Sequence, residues 1–209
     1  MTTIKYRMAK SIDAKSLARL HKSCSEQQKG GFMHKLGFVF LKTYYEVVIG
    51  NKNSVILLAY DEDGELLGFH SGTLDAAEHY ATLRKNRYRF IIPMLISLFS
   101  NSKLISEIYY RYKYTGKDSK LKFGIKTGVR GEYWGWSPNN PNAVESINLH
   151  RIWHRIIKQL GATSVKSEVD IVNDRVIKSI EIMGGVFLEE ITLHDGRKRA
   201  IVEYDLLKY

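Results

Sequence analysis

The spacing of apolar positions changes repeatedly along the chain, and each change of period predicts an element. The stretch TIKYRMA near the N-terminus alternates, which predicts a strand. SIDAKSLARLHKSCSE follows with a capping serine or aspartate and with Leu17 and Leu20 at helical spacing, so a helix comes next. GGFMHKLGFVFLKTYYEVVIG reads as a turn at Gly30 and Gly31 leading into a second helix that carries Phe40, Leu41, Tyr44, Tyr45 and Val48. SVILLAYDEDGELLGFHSGTL is two strands about a turn at Asp63 and Gly64, a strong hairpin signal.

Residues 76–116 have helical tendency, are rich in Tyr and Arg, and are interrupted by Pro93; they read as an insertion reaching to about residue 120. Strand chemistry returns in IKTGVRGEYWGW. AVESINLHRIWHRIIKQLG is a long amphipathic helix stopped by Gly161, TSVKSEVDIV a further strand, and NDRVIKSIEIMGG a short helix. VFLEEITLHDGRKRAIVEYDL closes the chain as a hairpin turning at Asp195 and Gly196. This order predicts a mixed α/β sheet in one domain, with a helical insertion at about 76–120.

Composition narrows the reading. At 209 residues with 44% hydrophobic side chains, the chain fills one core and is short for two. The single cysteine, Cys24, excludes an internal disulfide and has no metal-ligand or redox spacing around it, so the expected setting is a reducing cytoplasm. The N-terminus lacks the apolar run of a signal peptide, and the longest apolar window, IIPMLISLF, is too short to cross a bilayer.

Net charge is +10 and unevenly spread. Between Asp75 and Arg130 twelve Lys/Arg face four Asp/Glu, a local excess of eight. Such a concentration suits an anionic partner: a phosphorylated cofactor, a nucleotide-linked substrate, nucleic acid or an acidic membrane surface. A merely solvated basic face is the alternative. Nucleic acid ranks below the others, because the cations lack a helix-turn-helix, RNP or zinc-finger context. His150 and His154 stand one helical turn apart, but HRIWH has neither the glutamate of a zinc protease nor a third ligand, so no metal is expected.

The element order, together with GATSVKSEVDIVNDRVIKSIEIMGGVF (161–187), resembles the GNAT N-acetyltransferase superfamily. In that segment Gly161 ends one helix, Asn173 starts the next, and Gly184 or Gly185 with Phe187 closes it. The front half, GGFMHKLGFVFLKTYYEVV followed by VILLAYDEDGELLGFHSG and the basic insertion, is similar to a GNAT subgroup associated with bacterial surface-polysaccharide pathways. The resemblance implies transfer of an acyl group from acetyl-CoA or another acyl-CoA to an amine, with an amino sugar, nucleotide- or lipid-linked, as one acceptor. The alternative is a catalytically altered binding protein, or a transferase whose donor is a carrier protein or aminoacyl-tRNA.

The resemblance also implies where the residues lie. The family's pyrophosphate loop, of the type [Q/R]-x-x-G-x-[G/A], falls on Pro141 to Ser146, where Val144 and Ser146 occupy the small positions. Asn142, Ala143, Val144, Ser146 and Ile147 are the residues expected to meet the cofactor, with Trp136 before them and Asn173 on the pantetheine side. Helix-start amides and the helix dipole favour the diphosphate, whereas a β-carbon at a close-approach site and the Glu145 carboxylate oppose it. Coenzyme A binding is therefore expected to be weakened at this rim and helped by basic side chains from the insertion. Glu132 is the candidate general base and Tyr133 a candidate hydrogen-bonding acid, since Ile180 occupies the family's usual tyrosine position. A glutamate paired with a nearby cation is the plain alternative for Glu132. Trp134, Arg84 and Arg87 are expected on the acceptor side. The segment LRKNRYRFIIPMLISLF reads as a lid or cleft wall, with peripheral contact to an anionic membrane as its alternative.

Overall fold

A computed structural model describes residues 3–26, 35–101, 104–106, 109, 124–193 and 196–208. The elements run β1 (Lys5–Met8), α1 (Ala14–Glu26), α2 (Gly37–Ile49), β2 (Ser54–Tyr60), β3 (Leu66–Thr73), α3 (Ala76–Lys85) and α4 (Ile91–Ser100). They continue with β4 (Arg130–Trp136), α5 (Ala143–Gln159), β5 (Ser164–Asp170), α6 (Asp174–Ile182), β6 (Val186–Thr192) and β7 (Lys198–Asp205). The expected mixed α/β order is the observed one. The turn read at Gly30 and Gly31 lies outside the described residues, as do Asp195 and most of the insertion beyond residue 101.

Seven strands form one sheet in the order β1-β2-β3-β4-β5-β7-β6. Neighbours are antiparallel except β4 and β5, which are parallel. The run Val55–Ala59 in β2 is continuously apolar because the sheet is covered on both faces. Alternate residues serve the two sides. Val55, Leu57 and Ala59 pack with Leu149, Trp153 and Ile157 of α5. Ile56 and Leu58, with Phe69 of β3, pack against Leu17 and Ala18 of α1 and Leu41, Tyr44, Tyr45 and Val48 of α2. Trp153 is fully buried and its indole N–H donates to the Val55 carbonyl at 2.9 Å, locking α5 across the sheet. Burial of each such side chain contributes about 1.5–3 kcal/mol.

Helix ends follow the sequence signals. Asn142 caps α5, its Oδ1 accepting from the Glu145 amide at 3.1 Å, and Gly161 ends it at φ +95°, a conformation that costs a β-carbon-bearing residue. Pro93 does not interrupt a helix. It lies in the first turn of α4, where a missing N–H is harmless. The break comes earlier, in a 3-10 turn over Arg87–Phe90.

Two departures from regular pairing shape the centre of the sheet. Ser71 pairs with Tyr133 but Gly72 pairs with Gly131, so Glu132 is an extra residue on β4, a β-bulge. Strands β4 and β5 pair only at Arg130 with Lys166 and Gly131 with Ser167. Beyond that point, from Glu132 to Trp136, β4 has no partner strand on its β5 side among the described residues, and the sheet opens between its two parallel strands.

Candidate active site

Buried polar groups meet beside the opening. Glu132 sits at its apex with a side chain only 4% exposed, and both carboxylate oxygens are engaged. The Tyr44 hydroxyl donates to Oε2 at 2.5 Å, and His79 Nε2 lies 3.1 Å from Oε1. Tyr44 comes from α2 and His79 from α3, so two helices that cover the same face of the sheet converge on one strand residue. Burial pushes the Tyr44 phenol well above its ordinary range, which keeps its proton in place to be donated. Burial pushes His79 below its ordinary value despite the neighbouring Glu132, so the ring stays neutral at pH 7. A neutral imidazole facing a carboxylate through Nε2 donates from Nε2. A carboxylate offers about four lone-pair directions, and these two bonds leave capacity for a further donor.

Tyr133 shares this face because of the bulge. Its ring lies 4.6 Å from His21 and 6.0 Å from Tyr44, and burial raises its phenol, which therefore holds its proton. His21 in turn shares a 2.7 Å hydrogen bond with the Tyr45 hydroxyl. Arg130, two residues before Glu132 and on the same face, bonds the Tyr80 hydroxyl and lies 3.5 Å from Glu168 of β5. Glu168 also accepts from the Ile125 amide at 3.1 Å and faces Arg199 at 3.3 Å. This ion cluster ties β4 to β5 and β7 just before the strands part. Among the described residues no arginine or lysine lies within ion-pair distance of Glu132; the cation beside it, Arg130, faces Glu168 instead.

Trp134 and Trp136 take the other face. Both pack on the core beneath α5, away from Glu132. The Trp134 indole N–H donates to the Ser146 carbonyl at 3.2 Å and that of Trp136 to the Asn140 carbonyl at 2.8 Å. The two indoles thus brace the loop and the first turn of α5. A β-carbon on Gly68 would stand 2.4 Å from the Trp136 ring, so the strand must be bare there. The structure does not bring Trp134 into the Glu132 cluster as an acceptor wall, because consecutive partnered residues of a strand point to opposite faces.

The start of α5 is the second part of the site. The amides of Ala143 and Val144 are first-turn donors with no acceptor within their own helix, whereas those of Glu145 and Ser146 are taken by Asn142. Val144 is 68% exposed and stands at the rim rather than plugging it. The Glu145 carboxylate accepts from the Tyr6 hydroxyl at 2.9 Å. Tyr6 is on β1, three strands from β4, so this negative charge is drawn away from the opening. The residues present fit a phosphate group as an open helix start with side-chain help from Asn142, and without a glycine cradle. Ile147 turns into the core beneath.

The remaining sequence candidates lie outside the Glu132 cluster and the α5 rim. Asn173 caps α6, accepting from the Val176 amide at 3.3 Å. Ile180, at the position of the family's usual tyrosine, is buried core. Arg84 and Arg87 are exposed, at the end of α3 and in the turn after it. Cys24 donates to the Trp136 carbonyl, and burial lifts its thiol to about 12, which makes it inert. Among the described residues no cluster of three or more His, Cys, Asp or Glu is arranged to hold a metal ion. Sequence reading selected Glu132 and Tyr133 but missed Tyr44 and His79; the available signal was only that each is a polar aromatic on a helix, Tyr44 on one packed against the sheet and His79 on one that packs on its neighbour helix.

No protein-family model matches the chain, and no curated protein matches it in sequence. Solved structures do match its fold. An acetyltransferase of the GNAT family from Streptococcus pneumoniae superposes with a TM-score of 0.59 at 11% identity, over 97% of this chain and 99% of the other. A spermidine N-acetyltransferase chimera built from the Vibrio cholerae enzyme SpeG and hSSAT gives a TM-score of 0.60 at 11% identity, over 99% and 97%. At these identities the likeness is one of fold, and the chain has the fold of GNAT acetyltransferases.

Proposed function

We propose that the chain is an N-acyltransferase that moves an acyl group from acetyl-CoA or a related acyl-CoA to the amine of a small molecule. The observation that carries this reading is the buried Glu132 carboxylate, lifted out of register at the opening between β4 and β5 and held by donors on both oxygens. An acyl-CoA supplies the thioester. In the reaction a carbon–nitrogen bond forms, the carbon–sulfur bond breaks, and one proton passes overall from nitrogen to sulfur. Glu132 receives the amine proton. Tyr44 and His79 fix its orientation and stabilise its charge in a site that excludes water, which holds the base in one geometry. Tyr133, its proton retained by burial, is a hydrogen-bond donor on the same face. The Ala143 and Val144 amides and Asn142 hold the diphosphate.

Charge guides the choice of acceptor. Spermidine, named for one structural neighbour, carries several positive charges that a chain of net charge +10 repels. An amino sugar linked to a nucleotide brings phosphates that Arg84 and Arg87 can meet, the chemistry of surface-polysaccharide assembly. The test is thiol release from acetyl-CoA with nucleotide-linked amino sugars and with spermidine as acceptors. Release is expected with the amino sugars, and Glu132→Gln should lower kcat by roughly 10²–10⁴-fold while leaving the acetyl-CoA KM unchanged. Equal release by the Glu132→Gln protein would remove Glu132 from the chemistry.

A further inference from the structure

Helix α4 carries a second apolar stripe on its outer face. Its fully buried residues are Pro93 and Ser97, flanked by the half-buried Met94 and Leu98, and the Ser97 hydroxyl donates to the Leu36 carbonyl at 2.5 Å. The outward stripe is Ile92, Leu95, Ile96 and Phe99, spaced i, i+3, i+4 and i+7, all exposed, with Ile92 at 68% and Phe99 at 91%. A helix on a water-facing surface ordinarily carries the reverse pattern. At its N-terminal end the preceding turn adds an exposed Tyr88 and the exposed cations Arg87 and Arg89, after Arg84 and Lys85 at the end of α3. Arg89 is occupied by Glu46 at 2.8 Å. From His79 to Ser106 the sequence has no Asp or Glu at all.

We propose that this face is a docking surface for an anionic lipid bilayer. The occupant follows from the charge and the shape of the patch. A ten-residue helix rises about 15 Å, half of a hydrocarbon core, so α4 lies along a membrane rather than through it. An apolar stripe set beside cations, with a tyrosine at the junction, matches the boundary between acyl chains and phosphate headgroups. Arginine and lysine stems reach headgroup phosphates while the stripe enters the boundary below. A second copy of the chain suits the face less well. Pairing α4 with itself would bring cations together with no carboxylate from the same segment to offset them. The α4 stripe stands apart from the Glu132 cluster, whereas Arg84 and Arg87 are also the residues assigned above to acceptor phosphates, so the stripe variant is the one that separates this proposal from the acyl-transfer reading.

The experiment is co-sedimentation of the 209-residue chain with vesicles of phosphatidylglycerol and phosphatidylcholine in equal amounts, against vesicles of phosphatidylcholine alone. Binding is expected only to the mixed vesicles, and high salt should weaken it. Replacing Arg84 and Arg87 by Gln should reduce the partition coefficient by roughly 25-fold at low salt, at about fivefold per cation. The double variant Ile92→Ser, Phe99→Ser should abolish sedimentation while keeping the wild-type circular dichroism spectrum, since both side chains are already in solvent. Equal sedimentation with both lipid compositions, or an Ile92→Ser, Phe99→Ser protein that still binds, would overturn the proposal. So would light scattering that finds a dimer which the same double variant converts to monomer, because the stripe would then be a protein interface.

Discussion

A carboxylate that is almost wholly removed from water is costly unless donors replace the solvent, and at Glu132 they arrive from two helices. Tyr44 is 88 residues away in sequence, so nothing local to GEYWGW announces it. The bulge is equally silent in the sequence, because it is a property of how β4 pairs with β3. Glu132 was legible as a residue type on a strand; its neutral His79 neighbour and its short bond to Tyr44 were not. At the helix start the position of Val144 was legible and its effect testable. Replacing Val144 by Gly lets the backbone approach an anion more closely and should tighten acetyl-CoA binding about tenfold, the worth of one charge-assisted hydrogen bond. An unchanged dissociation constant would mean that the diphosphate does not use this amide.

At the scale of elements, α5 is held by the indoles of Trp134, Trp136 and Trp153, each donating to backbone, two of them at its N-terminal rim. The rim is therefore positioned by the strand on which Glu132 sits. Gly68 is the weak point of that arrangement, since Trp136 lies flush against it. Gly68→Ala should cost about 1–3 kcal/mol and lower the melting temperature by several degrees, with acetyl-CoA binding weakened as the loop at Asn140 shifts. A melting temperature equal to wild type would show that the ring moves aside freely. The order of elements was readable throughout because turn and cap residues, Asp63 with Gly64, Asn142, Gly161 and Asn173, punctuate changes in apolar period. The opening between β4 and β5 was not, since a strand that loses its partner keeps the same composition. The outward stripe of α4 escaped for a related reason: periodicity finds an apolar face without saying what it faces.

For the molecule as a whole, the least expected feature is a knot of three histidines under α5. His70 and His150 share a 3.0 Å hydrogen bond, and the His154 ring lies 4.2 Å from His150 beside Tyr204. One proton between two neutral rings satisfies that bond. Burial pushes His70 and His150 well down and His154 to about 3. Their folded values lie below the unfolded value of about 6.5, so the unfolded chain binds protons first. The stability they support is complete above about pH 7 and is lost as pH falls below about 6.5, for His154 down to about 3. Urea midpoints measured between pH 7 and pH 5 should fall steeply and recover on return; a flat profile would mean that the rings are charged or solvated in the native state. The account as a whole rests on one sheet opening serving a thioester donor from the α5 rim and an amine beside Glu132. Isothermal titration of the wild-type protein with acetyl-CoA tests it most directly. The account predicts saturable one-to-one heat that Glu132→Gln leaves intact and Val144→Gly strengthens. Absence of heat at millimolar acetyl-CoA, from a folded protein, would contradict it.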